Sequence, residues 1–262
     1  MLFILLWFVI PLARFFSLAF SDQSGTFASF RTLFESQAYR RVLLLTLGNA
    51  ALVTAITVTL AWPVAYLLSR LRGAWLAFAL YGVLFPFWIS VLVRTFSWML
   101  LLERHGPINR LLSATGQTDG PLPLLFNDTG VLIGTIHVLL PYAILPLYAA
   151  MRRVDRRLML ASDGLGASLL YSFWRIYLPL VLPGLLGAGV IVAILSLGFY
   201  ITPALLGGAS AITLSTLISG FVTERLAWSL AAAASIVLLA LVLVLLVLGR
   251  RLIPLGGGNV VR

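Results

Sequence analysis

The chain has 262 residues, 61% hydrophobic and only 10% charged, with a mean hydropathy of +1.07 and a net charge of +10. A soluble domain carries about 25% charged residues, so the composition reads as a polytopic membrane protein and length gives no count of soluble domains. The absence of cysteine excludes disulfides, thiolate metal sites and a thiol nucleophile. All eighteen basic residues are arginine, and without lysine a GxxxxGK[ST] nucleotide loop is excluded. No basic groove with interleaved aromatics is visible, so nucleic acid is not expected as a partner.

Six spans follow from the rule of about 20 apolar residues each. The first, Leu2–Phe20, contains Pro11 and Arg14. No basic segment precedes it and no clean cleavage site follows, so it reads as a retained span. The sequence leaves open whether the natural chain starts upstream of Met1. A polar loop, Ser21–Arg41, leads to the second span, Val42–Leu68. The third, Trp75–Leu102, holds Pro86, Trp88 and Arg94. A long loop, Glu103–Gly130, ends in the turn sequence Asn127-Asp128-Thr129-Gly130. The fourth span, Val131–Ala150, carries His137, Pro141 and Pro146. The fifth is Leu185–Leu206 and the sixth Leu226–Leu248. Gly256-Gly257-Gly258 reads as a flexible tail. No repeat or low-complexity tract is evident, and the expected organisation is one transmembrane domain over 1–262.

Arginine placement sets the orientation. One side receives Arg70, Arg72, Arg152, Arg153, Arg156, Arg157, Arg175, Arg250, Arg251 and Arg262. The other receives Arg31, Arg40, Arg41, Arg104, Arg110 and Arg225. Ten against six makes the first side cytoplasmic, with both termini inside.

The most strongly basic interruption, Met151–Gly184, lies on that side. Asp155 to Asp163 can form a short helix. Gly164 and Gly166 can take the left-handed conformation that ends one, and Ser168 is a good N-cap for the next. On the second helix Leu169, Leu170, Phe173, Trp174 and Tyr177 share a face. Pro179 predicts a break at Leu178.

The spacing of Gly166, nine residues, Ile176, one residue and Leu178-Pro179 resembles the "EAA" loop of ABC importer permeases. Ala161, Gly166, Ile176, Leu178 and Pro179 match that pattern. Leu160 stands at its Glu position and Ser162 at its second Ala. Further stretches are similar to the spermidine/putrescine-type branch: Phe85–Ser90 with Val93-Arg94-Thr95, Gly106-Pro107-Ile108-Asn109, Leu139–Tyr142, Leu145–Tyr148 and Gly198–Gly208.

The resemblance implies an all-α membrane protein of about six transmembrane helices, with a cytoplasmic coupling-helix loop between spans four and five. It implies a permease subunit in the bacterial cytoplasmic (inner) membrane. Its partners would be a cytoplasmic ABC ATPase dimer, a second permease subunit, an external solute-binding protein and membrane lipid. The solute would be a polyamine, or another small solute such as an opine or iron. ATP hydrolysis would belong to a partner, so no catalytic residue, cofactor or metal is expected in this chain. Ala161, Ser162, Asp163, Gly164, Gly166, Ala167 and Ser168 would form the coupling loop, small enough for close approach to the ATPase. The loop arginines can pair with acids on that partner or with anionic lipid heads. They also serve simply to set topology.

Path candidates are Trp88, Arg94, Phe199 and Tyr200. A charge within a span normally faces protein or a water-filled cavity, or snorkels to the surface. An arginine would repel a polyamine but can hold a carboxylate. Aromatic faces attract amines, and aromatics at span ends also form interfacial belts. Pro86, Pro141, Pro146 and Pro203 are either hinges or ordinary membrane-helix prolines. His137 is a packing residue, since no convergent ligands accompany it. The eight acids all lie outside the span cores, so no buried carboxylate for a cation is expected. A gradient-driven transporter would show acidic or histidine relays within spans, an intramembrane enzyme a Ser–His or paired-Asp arrangement, and neither is present. A purely structural role is disfavoured by the spaced loop.

The Leu158-Met159-Leu160 run points to a matching apolar surface on the ATPase. A Leu160→Glu variant is therefore expected to couple no better than the native chain. ATP-driven uptake in proteoliposomes measures this, and markedly better coupling removes the explanation.

Overall fold

The computed structural model describes residues 2–21, 25–116, 120–208 and 211–252. The predicted flexible tail at Gly256-Gly257-Gly258 lies outside them, as do Asp22, Asp119 and Arg262. Every regular element among the described residues is helical, the form in which a backbone satisfies its own polar groups away from water.

In chain order, α1 is Leu2–Ser17, closed by a 3-10 turn at Leu18–Phe20. Then come α2 (Ala28–Glu35), α3 (Gln37–Arg70) and α4 (Gly73–Leu84). A 3-10 turn at Phe85–Trp88 precedes α5 (Val91–Leu102) and α6 (Pro107–Ala114). Next are α7 (Asp128–Arg153), α8 (Arg156–Gly164) and the single turn α9 (Leu169–Ser172). A π turn, Phe173–Tyr177, joins α9 to α10 (Leu178–Leu197). The remainder is α11 (Ile201–Leu206), α12 (Leu214–Thr223) and α13 (Trp228–Leu252).

Among the described residues, α3, α7, the run Leu169–Leu197 and α13 are long and apolar enough to cross a bilayer. The predicted third span is two helical arms bent by 96°. Pro86 cannot donate into the helix ladder. The chain tightens to 3-10 over Phe85–Trp88, and Ile89 turns extended at φ −93° and ψ 127°. The predicted first span coincides with α1 and its closing 3-10 turn.

The predicted fifth span needs two corrections. It starts earlier, because Pro179 does not break the helix. Its ring would clash with the Arg175 carbonyl four residues back, and the wider π turn at Phe173–Tyr177 lies at that position. It also ends earlier, at Leu197, where Gly198–Tyr200 interrupt the helix. The sixth begins at Trp228, since Leu226 adopts a left-handed φ of 52° that ordinary side chains avoid. The two polar loops are partly helical, holding α2 with the start of α3, and α6.

Contacts divide the chain into two compact units. The first comprises Met1–Ala50, Val91–Thr135 and Leu197–Val244. Its main core gathers Leu33, Leu214, Phe221 and Ala231–Ala234. A second cluster joins Val131, Leu206 and Ala211, with Trp98 and Met99 against it. Gly134 lets α7 approach α11: a Cβ there would lie 2.5 Å from Leu206 Cδ1 and 2.7 Å from Thr202 Cγ2. The buried hydroxyls of Thr95 and Thr202 meet at 3.2 Å.

Asn109 organises the long loop of this unit. It is buried, and its amide nitrogen donates to the carbonyls of Glu103 (3.1 Å) and Leu122 (3.0 Å). Its Oδ1 accepts the Leu122 N–H at 2.9 Å. Downstream, Asn127 Oδ1 accepts the Gly130 N–H at 3.0 Å and caps α7.

The second unit comprises Ala51–Ser90, Ile136–Ser196 and Leu245–Arg262. Its buried side chains include Ala61, Ala65, Leu68, Leu139, Leu147, Val181 and Val192. Gly184 lets α10 lie against α7, because a Cβ there would collide with Ala150 Cβ. Pro141 and Pro146 sit inside an unbroken α7, and Pro183 inside α10.

Asn109→Leu keeps the volume but strands the Leu122 N–H and loosens two carbonyls. It is expected to cost about 2 kcal/mol or more, read as a lower thermal midpoint of the detergent-solubilised protein.

Candidate functional site

The loop after α7 is built from paired caps. Asp155 accepts the Arg157 N–H at 2.9 Å and starts α8. The helix ends in a Schellman turn: Ala167 N–H bonds to Ser162 O at 3.1 Å and Gly166 N–H to Asp163 O at 2.9 Å. Gly166 takes the left-handed φ of 81° this turn requires. Gly164 stays helical, so only one of the two expected glycines is used that way. Ser168 then caps α9 by accepting the Tyr171 N–H at 3.3 Å.

Two further contacts make the loop a unit. Ser162 Oγ lies 2.7 Å from Ser172 Oγ, both buried, and ties α8 to α9. Below them Phe173 and Tyr177 pack edge-on against Trp62 of α3, at 6.2 and 6.4 Å between ring centroids. The predicted apolar face is therefore split. Phe173 and Tyr177 turn inward, while Leu169, Leu170 and Trp174 are exposed. Leu160 and Leu165 join that exposed set, Leu165 at 89%.

Of the expected coupling residues, Ala161, Asp163, Gly164, Gly166 and Ser168 lie on the surface and Ala167 is half-buried. Open space surrounds the Cβ positions of Gly164 and Gly166. Ser162 is buried and holds the loop together from within.

The path candidates fall in different places. Trp88 belongs to the second unit, is 72% exposed and stacks on Tyr81 at 6.3 Å. Arg94, Phe199 and Tyr200 belong to the first. Arg94 is 9% exposed on α5, beside Thr95, whose hydroxyl meets α11. Phe199 and Tyr200 sit at the break after α10 and are both tied to α12. Ser215 Oγ donates to the Phe199 carbonyl at 2.7 Å, and Ser219 Oγ to the Tyr200 hydroxyl at 3.1 Å. His137 is half-buried on α7. No metal-holding group of histidines and acids occurs among the described residues.

No protein-family profile matches the chain. It is 31% identical over 222 residues to the spermidine/putrescine transport system permease protein PotB of Haemophilus influenzae, covering 84% of this chain and 77% of that protein. Against PotB of Escherichia coli the identity is 32% over 200 residues, covering 76% and 73%. This chain belongs to the ABC importer permeases of the spermidine/putrescine type. The fold agrees with a bacterial alginate ABC transporter crystallised in complex with an alginate pentasaccharide-bound periplasmic protein. The TM-score is 0.76 at 20% identity, covering 95% of this chain and 90% of that one.

One feature of this permease escaped the sequence reading. Tyr200 lines a cavity of about 530 Å³ together with Thr216, Ser219, Thr223, Glu224 and Arg225. The sequence places Glu224 only among the acids outside the span cores, because nothing in it sets α12 beside Tyr200. Arg225 stands in the wall of the same cavity: its Nη1 donates to the Tyr39 hydroxyl at 3.3 Å, and its guanidinium lies 5.9 Å from the ring of Phe221, which also lines it. Glu224 forms no ion pair among the described residues.

The two loop glycines should respond to alanine with opposite signs. Gly166→Ala forces a side chain into the left-handed region at about 1–2 kcal/mol, whereas Gly164→Ala gains about 0.5–1 kcal/mol in a helical position. Hydrogen exchange at the Leu165–Ala167 amides should accelerate in the first variant and slow in the second.

Proposed function

We propose that this permease moves a polyamine through the membrane and draws its energy from a cytoplasmic ATPase dimer. The observation that carries the solute class is the juxtaposition of the Glu224 carboxylate, the Tyr200 ring and the Ser219 hydroxyl in one cavity. A protonated amine is attracted to an aromatic face. A carboxylate beside it supplies the countercharge, and hydroxyls accept the remaining ammonium hydrogens. Both relatives named above are spermidine/putrescine permeases, which supports the same class.

In this reading, residues 1–262 form one transmembrane domain that pairs with a second permease subunit. An external binding protein delivers the solute. Ala161, Asp163, Gly164, Gly166, Ala167 and Ser168 face the ATPase, with Leu160 and Leu165 filling its apolar surface. Ser162 stiffens the loop from behind, so that closure of the ATPase moves α8 and α9 as one piece. The excess of arginine at the ends of α3, α7 and α13 supports a cytoplasmic location for this loop and both termini. Arg94, buried on α5, keeps the path wall in place and does not meet the cation. Trp88 serves as an interfacial anchor or a path wall. The chain itself catalyses nothing and needs no cofactor.

The test is uptake of labelled putrescine and spermidine by the complete importer in proteoliposomes. Glu224→Gln is nearly isosteric and removes the charge, and it is expected to lower uptake about tenfold or more at limiting solute, with ATPase association intact. Unchanged uptake by this variant removes the cavity from the path. Failure of the native importer to move any polyamine overturns the solute class.

A further inference from the structure

A cavity of about 420 Å³ lies where α3 ends, α7 ends and α8 begins. Six of its lining residues are arginines, Arg70, Arg72, Arg152, Arg153, Arg156 and Arg157, against the single carboxylate of Asp155. Two of the six have internal work. Arg152 Nη1 donates to the Leu71 carbonyl at 3.3 Å, and Arg70 Nη2 donates to the Tyr66 hydroxyl at 3.0 Å. Asp155 uses its carboxylate to cap α8. None of the six forms an ion pair among the described residues. Like charges gathered around a concave wall create a positive potential that favours a bound anion.

Tyr177 supplies an independent observation. It lines the same cavity, is 5% exposed, and its buried hydroxyl has no hydrogen-bond partner among the described residues. A buried phenol ordinarily finds a partner. Guanidinium groups only donate and a phenol can donate, and a ligand rich in acceptor oxygens fits them, as a phosphate does.

A second cavity, about 570 Å³, shares Arg153, Val154 and Asp155 with the first. The rest of its lining is apolar, including Ala149, Leu158, Leu180, Pro183 and Gly184. A basic pocket and an apolar groove with a common wall match a molecule with an anionic head and a hydrocarbon tail. A free phosphate would leave the groove unused. We propose that the two cavities together hold one anionic phospholipid. Its phosphate lies among Arg153, Arg156 and the Tyr177 hydroxyl, and an acyl chain runs along the groove beside Ala149. This rests on the two cavities and not on the transport reading, so either stands if the other fails.

Native mass spectrometry of the full-length chain tests it. The protein is released from micelles holding equal phosphatidylglycerol and phosphatidylcholine, and the retained lipid is identified. Phosphatidylglycerol should be favoured by about tenfold. Arg153→Gln with Arg156→Gln should bring the ratio close to one. Tyr177→Phe, which removes a single oxygen, should lower it while leaving the fold intact. Ala149→Phe, which fills the groove, should reduce retention. Arg250→Gln with Arg251→Gln removes the same charge at the end of α13 and should change nothing. No preference in the native chain, or an equal loss in the α13 pair, overturns the site. Displacement of the lipid by millimolar inorganic phosphate assigns the pocket to a small anion and overturns the lipid.

Discussion

A backbone polar group in hydrocarbon has no water to turn to, and each one left unmet costs several kcal/mol. Helices meet that demand everywhere except at their ends and breaks. The places where this chain departs from a straight helix are therefore where its side-chain chemistry is concentrated. At the Gly198–Tyr200 break, the freed carbonyl of Phe199 is taken by Ser215. At the start of α12, Thr213 and Thr216 cap each other reciprocally. Thr46 of α3 accepts the Leu214 N–H at 2.8 Å while donating to its own helix at Val42. The cavity beside Tyr200 exists because α12 is short, independently capped and pinned to the break.

The loop after α7 follows the same logic with a different outcome. Its Schellman turn, serine cap and Ser162–Ser172 hydrogen bond satisfy the backbone internally. Among the outward side chains free of structural duty are the leucines and aromatics Leu160, Leu165, Leu169, Leu170 and Trp174. Under the proposed coupling role, an apolar surface backed by these hydrogen bonds would pass on a displacement, since a contact that deforms locally absorbs it. Phe173, Tyr177, Trp62 and Tyr66 continue the rigid part into α3.

Much of this was legible in the sequence, and the gaps have physical causes. Low charge and long apolar runs identify a membrane protein, because hydropathy is a local property. The ends of α7 were legible from Asn127-Asp128 and the arginines that follow Met151. The positions of Gly166 and Ser168 were legible because left-handed turns and N-caps have narrow residue preferences. The 96° bend near Ile89 was not, since hydropathy reports how apolar a segment is and not where it points. Pro179 misled because a proline rule assumes α geometry upstream, and the π turn supplies a wider one. Glu224 beside Tyr200, and Ser162 facing Ser172, are tertiary facts that no spacing encodes.

That π turn has a further consequence for the relation between length and direction. A π turn carries one residue more than the α turn it replaces, and one residue of helix is about 100° of rotation. The stretch from Gly166 to Pro179 therefore stores a phase angle. Were it one residue shorter, an ordinary α-helix could close the gap. Leu169, Leu170 and Trp174 would then swing by about that angle toward the aromatic cluster, and Phe173 would swing out. Composition would barely change, yet the apolar face would aim elsewhere. The distance between the glycine and the proline in this loop is thus a setting of azimuth.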